Sequence, residues 1–291
     1  MTNYLEVTNL SKSFDFFQLH NISFTLPKGY IMGLIGPNGS GKTTTIKLIL
    51  NMLKRTGGTV KVMGLDNIAE EQKVKSELGV VFDTNYFSDD WKVSQVEKSI
   101  SVLKGLSRQE AKKRLTDWFE RFEIMPWWNK KLEELSKGMQ MKLMLACAFS
   151  YDAKLLILDE PTSGLDPVSR DELLKILSEY IEDGEHSVLF STHITGDLER
   201  AADYITYISY GELYFTGSKD DFVDMFRIVK GGIEELSDDL KNKAAGIRTF
   251  PTGFEALMKT EDISGFPNLT VEPATIDEIV VFTSKKGDDY E

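Results

Sequence analysis

The sequence predicts an α/β protein with a mostly parallel sheet at its core. Three observations predict it. Residues 31–35, 155–158 and 187–190 are apolar runs of the kind buried on both faces of a parallel sheet. Helix-patterned stretches stand between them, the alternation that crossover connections produce. Finally, Gly36-Pro37-Asn38-Gly39-Ser40-Gly41-Lys42-Thr43-Thr44 joins an apolar run to an amphipathic one, in the order strand, glycine loop, helix.

Taken in order, residues 4–7 partly alternate and residues 22–26 alternate cleanly, which marks short β segments. Pro27-Lys28-Gly29 turns the chain into the strand at 31–35. After the glycine loop a helix over 43–53 places Ile46, Ile49, Leu50 and Leu53 on one face. Gly57-Gly58 punctuates, 59–62 returns to strand, and 78–82 is another, followed by a polar, aromatic stretch to Trp91. Residues 93–149 read as helical, with breaks at Ser107, Pro126 and Ser136. A helix over 171–181 separates the last two buried strands, and β segments at 204–209 and 212–215 turn at Gly211. Beyond 217 the chain is strongly acidic and broken by Gly231-Gly232, Gly246, Gly265 and prolines, which predicts a small α+β appendage. The expected division is a domain over 1–217, with a helical subdomain at about 86–150, and an accessory part over 218–291.

Composition narrows the function classes. With 291 residues, 41% hydrophobic and 27% charged, the chain can bury a large core. A formal net charge of −12 argues against a general nucleic-acid binder and against a polybasic membrane anchor. The single cysteine, Cys147, rules out a disulfide framework, and its apolar helical setting suits a small buried hydrophobe. No signal-peptide pattern opens the sequence and no run approaches 18 apolar residues. The expectation is a cytoplasmic protein whose membrane role comes through a partner.

The glycine loop carries the first chemistry. Its glycines let successive N–H groups approach a polyphosphate, and the helix that follows adds its positive end. Asn38, Gly39, Ser40, Gly41 and Thr44 form that cradle; Lys42 can reach the β- and γ-phosphates and Thr43 can offer its hydroxyl to magnesium. Asp159 and Glu160 end a buried strand, where doubly wound sheets place their ligands. Asp159 is positioned to hold magnesium, and Glu160 to polarise a water for attack on the γ-phosphorus. Alone, the two acids could merely end a strand; paired with the glycine loop they point to nucleotide hydrolysis with ATP and Mg2+.

With these residues in place the chain resembles the ATPase subunit of ATP-binding-cassette (ABC) transporters over about 4–218. The most specific match is Leu135-Ser136-Lys137-Gly138-Met139, similar to the family's L-S-G-G-Q signature. Ser136 and Gly138 match, whereas Lys137 and Met139 depart. The resemblance implies the P-loop NTPase fold of the ABC type: a mostly parallel core, an antiparallel β subdomain and a helical subdomain. It sets Ser136, as a helix N-cap, and Gly138 against the γ-phosphate of ATP held by the opposite subunit. Ser163-Gly164-Leu165-Asp166 matches the D-loop across the dimer interface, and Ser191-Thr192-His193 the switch histidine that contacts the γ-phosphate. His20 and His186 have no such context. For the aromatic that stacks on adenine the register favours Phe14 over Phe16, with a plain core phenylalanine as the alternative. Asp83 stands where the family carries a magnesium-contacting glutamine. The loop from Thr84 to Val93, with Tyr86, Phe87 and Trp91, suits a membrane partner or a loosely packed core.

The same resemblance implies the assembly. A second ATPase subunit, in a homodimer or a pseudo-symmetric heterodimer, shares two ATP molecules, and this chain sits at the cytoplasmic face of the membrane on transmembrane permease subunits that are separate chains. Translation factors with two cassettes and DNA-repair members with long coiled coils fit less well. Importers are distinguished by the glutamine absent at Asp83 and often by a C-terminal β-barrel. The segment Pro273-Ala274-Thr275-Ile276-Asp277-Glu278-Ile279 resembles the tail of exporter ATPases, with exporters of peptides or amphipathic compounds as the suggested group.

Overall fold

The computed structural model describes residues 2–103 and 108–284. The chain opens with β1 (Asn3–Ser13) and β2 (Gln18–Pro27), an antiparallel pair longer than the alternation indicates. Register shifts along β1, with Asn9 at φ 49°, interrupt the two-residue period and hide half the strand from a pattern search. Next come β3 (Ile31–Ile35), wholly buried, and α1 (Lys42–Ile49). Helix α1 stops short of residue 53 because Asn51 turns left-handed at φ 53° and the Met52 amide returns to the Lys47 carbonyl. The chain continues through β4 (Gly57–Val62), β5 (Leu65–Asp66), α2 (Glu71–Ser76) and β6 (Leu78–Val81).

The helical lobe follows as α3 (Val93–Leu103), α4 (Arg108–Arg121) and α5 (Lys137–Phe149). Pro126 lies in a short 3-10 turn and Ser136 caps α5, so both expected breaks fall between helices; Ser107 lies outside the described residues. Then come β7 (Leu155–Asp159), α6 (Pro167–Tyr180), β8 (Ser187–Thr192), α7 (Thr195–Ala201), β9 (Tyr204–Ser209) and β10 (Glu212–Ser218). Helix α6 begins four residues before the 171–181 reading, since Asp166 caps it and Pro167 occupies its first position. The last segment comprises α8 (Lys219–Asp224), β11 (Phe226–Gly231), α9 (Asp238–Lys243), β12 (Ala244–Phe250), β13 (Gly253–Lys259), β14 (Thr270–Pro273) and α10 (Ile276–Ser284).

The large sheet runs β5-β4-β1-β2-β10-β9-β3-β8-β7-β6. Strands β9, β3, β8, β7 and β6 run parallel to one another, β10 pairs antiparallel with β9 and parallel with β2, and β5, β4, β1 and β2 form an antiparallel flank. Alternate residues of the buried strands serve two cores. Met32, Leu34, Ile157 and Leu189 pack with Ile46 and Ile49 of α1; Ile31, Ile35, Leu158 and Phe190 pack in the core that holds α5 and α6. The order β3-β8-β7 brings the ends of three parallel strands side by side, and those ends carry the glycine loop, His193 and Asp159-Glu160.

The C-terminal segment forms a separate antiparallel sheet, β12-β13-β11-β14. Its pleat divides two environments. Ile228 and Leu257 join the larger core with Ile279 and Phe282 of α10, while Val229, Ala256 and Met258 face a small core of their own with Leu240 of α9. Among the described residues no helix is long and apolar enough to cross a membrane.

Candidate active site

The glycine loop is shaped by close approach. A Cβ on Gly36 would lie 2.0 Å from the Ile208 carbonyl oxygen. Gly41 has φ 113°, and a Cβ there would meet Leu19 Cδ1 at 2.7 Å and Phe17 Cζ at 3.1 Å. Gly41 is also the N-cap of α1, and no side chain caps that helix, so its first N–H groups stay open to an anion. Ser40 Oγ is buried in the loop with no partner, a hydroxyl suited to a phosphate oxygen.

Lys42 is buried, and its Nζ donates to the carbonyls of Gly36 (2.7 Å) and Pro37 (3.3 Å). Glu160 Oε1 lies 3.8 Å away. Burial pulls the Lys42 pKa down, and the carboxylates of Glu160 and Asp159 oppose that pull. Asp159, also buried, accepts from Thr43 Oγ1 at 2.9 Å and from Ser191 Oγ at 2.5 Å. Glu160 takes φ 51°, a left-handed conformation unusual for a glutamate, held by its amide on Ser191 and by the Ser163 amide on its carbonyl. Its Oε2 lies 2.7 Å from His193 Nδ1.

One recess of about 340 Å³ is lined by Phe17, Asn38, Gly39, Ser40, Gly41, Lys42, Thr43, Thr44, Asp83 and Glu160. Asp159 and His193 join it through their hydrogen bonds to Thr43 and Glu160. The Thr43 hydroxyl and Asp159 carboxylate, with Asp83 on the same recess, form a hard oxygen set of the kind magnesium prefers. Among the described residues no cluster of three or more His, Cys, Asp or Glu is built to hold a metal, and an ion held mainly by phosphates needs none.

Besides Asp159 and His193, four of the site residues picked out in the sequence do not line the recess. Phe14 lies beside it, its ring 6.3 Å from that of Phe17, while Phe17 itself forms the wall and Phe16 is fully exposed. Ser136 caps α5 by accepting from the Met139 amide at 3.2 Å. A Cβ on Gly138 would lie 2.6 Å from the Gly164 carbonyl oxygen, so the signature and D-loop turns touch. Asp166 accepts from the amides of Val168 and Ser169 and from the Ser169 hydroxyl, which with those amides holds its carboxyl below the usual range.

Two functional contacts escaped the sequence reading. Ser191 orients Asp159 and the Glu160 amide together, and only its place at the end of β8 signals this. Asp197, fully buried at the start of α7, accepts from Thr162 Oγ1 (2.8 Å), Thr192 Oγ1 (3.3 Å) and Arg170 Nε (2.5 Å). It ties the chain after Glu160 to the chain before His193. His186 instead pairs with Asp183 at 2.8 Å beside Tyr180, between α6 and the start of β8.

The sequence matches the ABC transporter family over residues 19–163. It is 34% identical to the uncharacterized ABC transporter ATP-binding protein YhaQ of Bacillus subtilis, covering 81% of this chain and 77% of the relative. It is 31% identical to the ABC-type transporter ATP-binding protein EcsA of the same organism, covering 78% and 92%. A solved ATP-binding subunit of an ABC transporter superposes with a TM-score of 0.70 at 28% identity, covering 75% of this chain and 91% of that one. The glycine loop, the Asp159-Glu160 strand end and these similarities agree: the chain belongs to the ABC transporter family, as one of its ATP-binding, ATP-hydrolysing subunits.

Proposed function

We propose that two copies of this chain close on two ATP molecules and that hydrolysis releases them, driving export through separate transmembrane permease subunits. One observation carries the reading. The recess holds the glycine loop and Glu160 of one chain, with His193 on Glu160, while Ser136 and Gly138 lie outside it, an arrangement that supports a site completed by a second chain. The loop amides and Lys42 hold the phosphates. Thr43 and Asp159, with Asp83 nearby, would hold magnesium, whose charge would offset that of the phosphates. Glu160, oriented by His193 and by its left-handed backbone, takes the proton of the attacking water. We assign 1–217 to the nucleotide domain, with the lobe at 86–150, and 218–291 to an accessory part.

An apolar groove of about 500 Å³ beside edge strand β6 is lined by Leu50, Met52, Leu78, Val80, Phe82 and Tyr86, among others. Its walls suit an apolar helix of the permease, which would hold the chain peripherally at the cytoplasmic face. The exporter reading draws on the 273–279 tail and on an open four-stranded C-terminal sheet in place of a barrel. Peptides or amphipathic compounds are the cargo class that tail suggests.

Glu160→Gln tests the core of the reading. Turnover should fall at least about 100-fold, the usual share of a general base, while ATP traps a dimer on size exclusion. A variant that hydrolyses normally, or stays monomeric with ATP, would refute it.

A further inference from the structure

Two residues that depart from the family pattern, Asp83 and Lys137, are neighbours in space. Lys137 Nζ lies 3.6 Å from Asp83 Oδ2 and donates to Ser163 Oγ at 3.1 Å. Three loops meet at that ammonium group: the one following β6, the signature turn and the D-loop. The contact extends along the side chain. Gly164, at φ 80°, lies so close that a Cβ there would be 3.2 Å from Lys137 Cγ. Lys137 also sits in the first turn of α5, where the helix dipole disfavours a cation, and Asp83 provides the compensating anion.

We propose that Lys137 and Asp83 act as one positioning unit, an ion-pair clasp that holds the signature turn and the D-loop against the loop following β6. Asp83 lines the nucleotide recess, and the chain that follows it leads through Tyr86 to the apolar groove. Displacement of that loop frees Lys137, and with it both turns that face a second subunit. The coupling role rests on the dimer reading above; the clasp itself is a property of the single chain.

A double-mutant cycle on the full-length chain separates the two. Amide hydrogen exchange is followed without nucleotide over 137–140 and 163–165, for Asp83→Asn, Lys137→Gln, the double variant and the reversal D83K/K137D. Each single change should speed exchange in both segments about threefold, the scale of an exposed pair. The double variant should go no further than either single one, and the reversal should recover most of the protection. Additive effects, or an effect of Asp83→Asn with none from Lys137→Gln, would overturn the clasp. Light scattering with ATP on the wild type and the Glu160→Gln protein reads the dimer separately. A coupled exchange cycle in a protein that never dimerises would support the clasp and refute the dimer.

Discussion

Helices α1 and α5 both begin at turns that the sequence marks for phosphate, yet their N-termini are built differently. Gly41 starts α1 in a left-handed conformation with no side-chain cap, walled by Leu19 and Phe17. Ser136 starts α5 in an extended conformation, and its hydroxyl satisfies the Met139 amide. The first terminus is open within its own chain, with Ser40 Oγ also unpartnered. At the second the Met139 amide is already bonded, so a phosphate arriving at that amide would compete with an existing hydrogen bond. In the proposed dimer the difference would set an order of events: ATP would settle on the glycine loop of one chain first, and the signature of another would engage afterwards.

The largest expected effect strikes the open terminus. Lys42→Ala should raise the ATP dissociation constant about 10- to 100-fold by calorimetry, the loss of a charged hydrogen bond to phosphate. Unchanged affinity would break the comparison at its first term. Asp197→Ala removes the anchor between the D-loop and switch segments and strands the Arg170 charge. It should cost about 2–3 kcal/mol in urea unfolding and slow hydrolysis. If stability falls and turnover does not, Asp197 supports the fold alone. Ser136→Ala should cost about 1 kcal/mol of stability and weaken ATP-driven dimerisation, with the single chain's ATP affinity unaltered. Weaker ATP binding by the isolated monomer would mean that α5 already serves its own chain's site.

The smallest effect concerns pH. Ser169 and two amides hold the Asp166 carboxyl below its ordinary range, so its stabilisation is complete above the unfolded pKa and is lost as pH falls through the folded one. Asp166→Asn keeps an acceptor for the amides but cannot titrate. Its urea midpoint should therefore fall less steeply than the wild type's below about pH 4. Parallel curves would show that the charge at this cap contributes nothing.

Chemistry borne by residue order was legible in the sequence, and chemistry assembled by folding was not. The glycine loop and the Asp159-Glu160 strand end are contiguous, so spacing alone exposed them. The buried strands showed because burial on both faces forces unbroken apolar runs. Half of β1, an interior strand between β4 and β2, hid behind register shifts, and α2 and α7 were too short to show a helical period. Ser191, Asp197 and the Lys137–Asp83 pair depend on partners 27 to 54 positions away, and no local pattern encodes such meetings. The aromatic wall illustrates the same limit: Phe14 fits the register, and the turn between β1 and β2 brings Phe17 to the loop instead.

Helix α10 spans more than its own sheet. Thr195, two residues after His193, donates to Asp277 at one end of it, and Tyr210 donates to the Ser284 carbonyl at the other. Between those ends Ile276, Ile279 and Phe282 complete the larger core, each worth about 1.5–3 kcal/mol of burial. The appendage is therefore not a detachable module. Trimming the chain after β10 would leave a greasy scar beside the switch histidine, and grafting in another relative's tail would require refitting that surface. A change at Ile276, Ile279 or Phe282 would therefore loosen the larger core beside the catalytic strands as well as the C-terminal sheet.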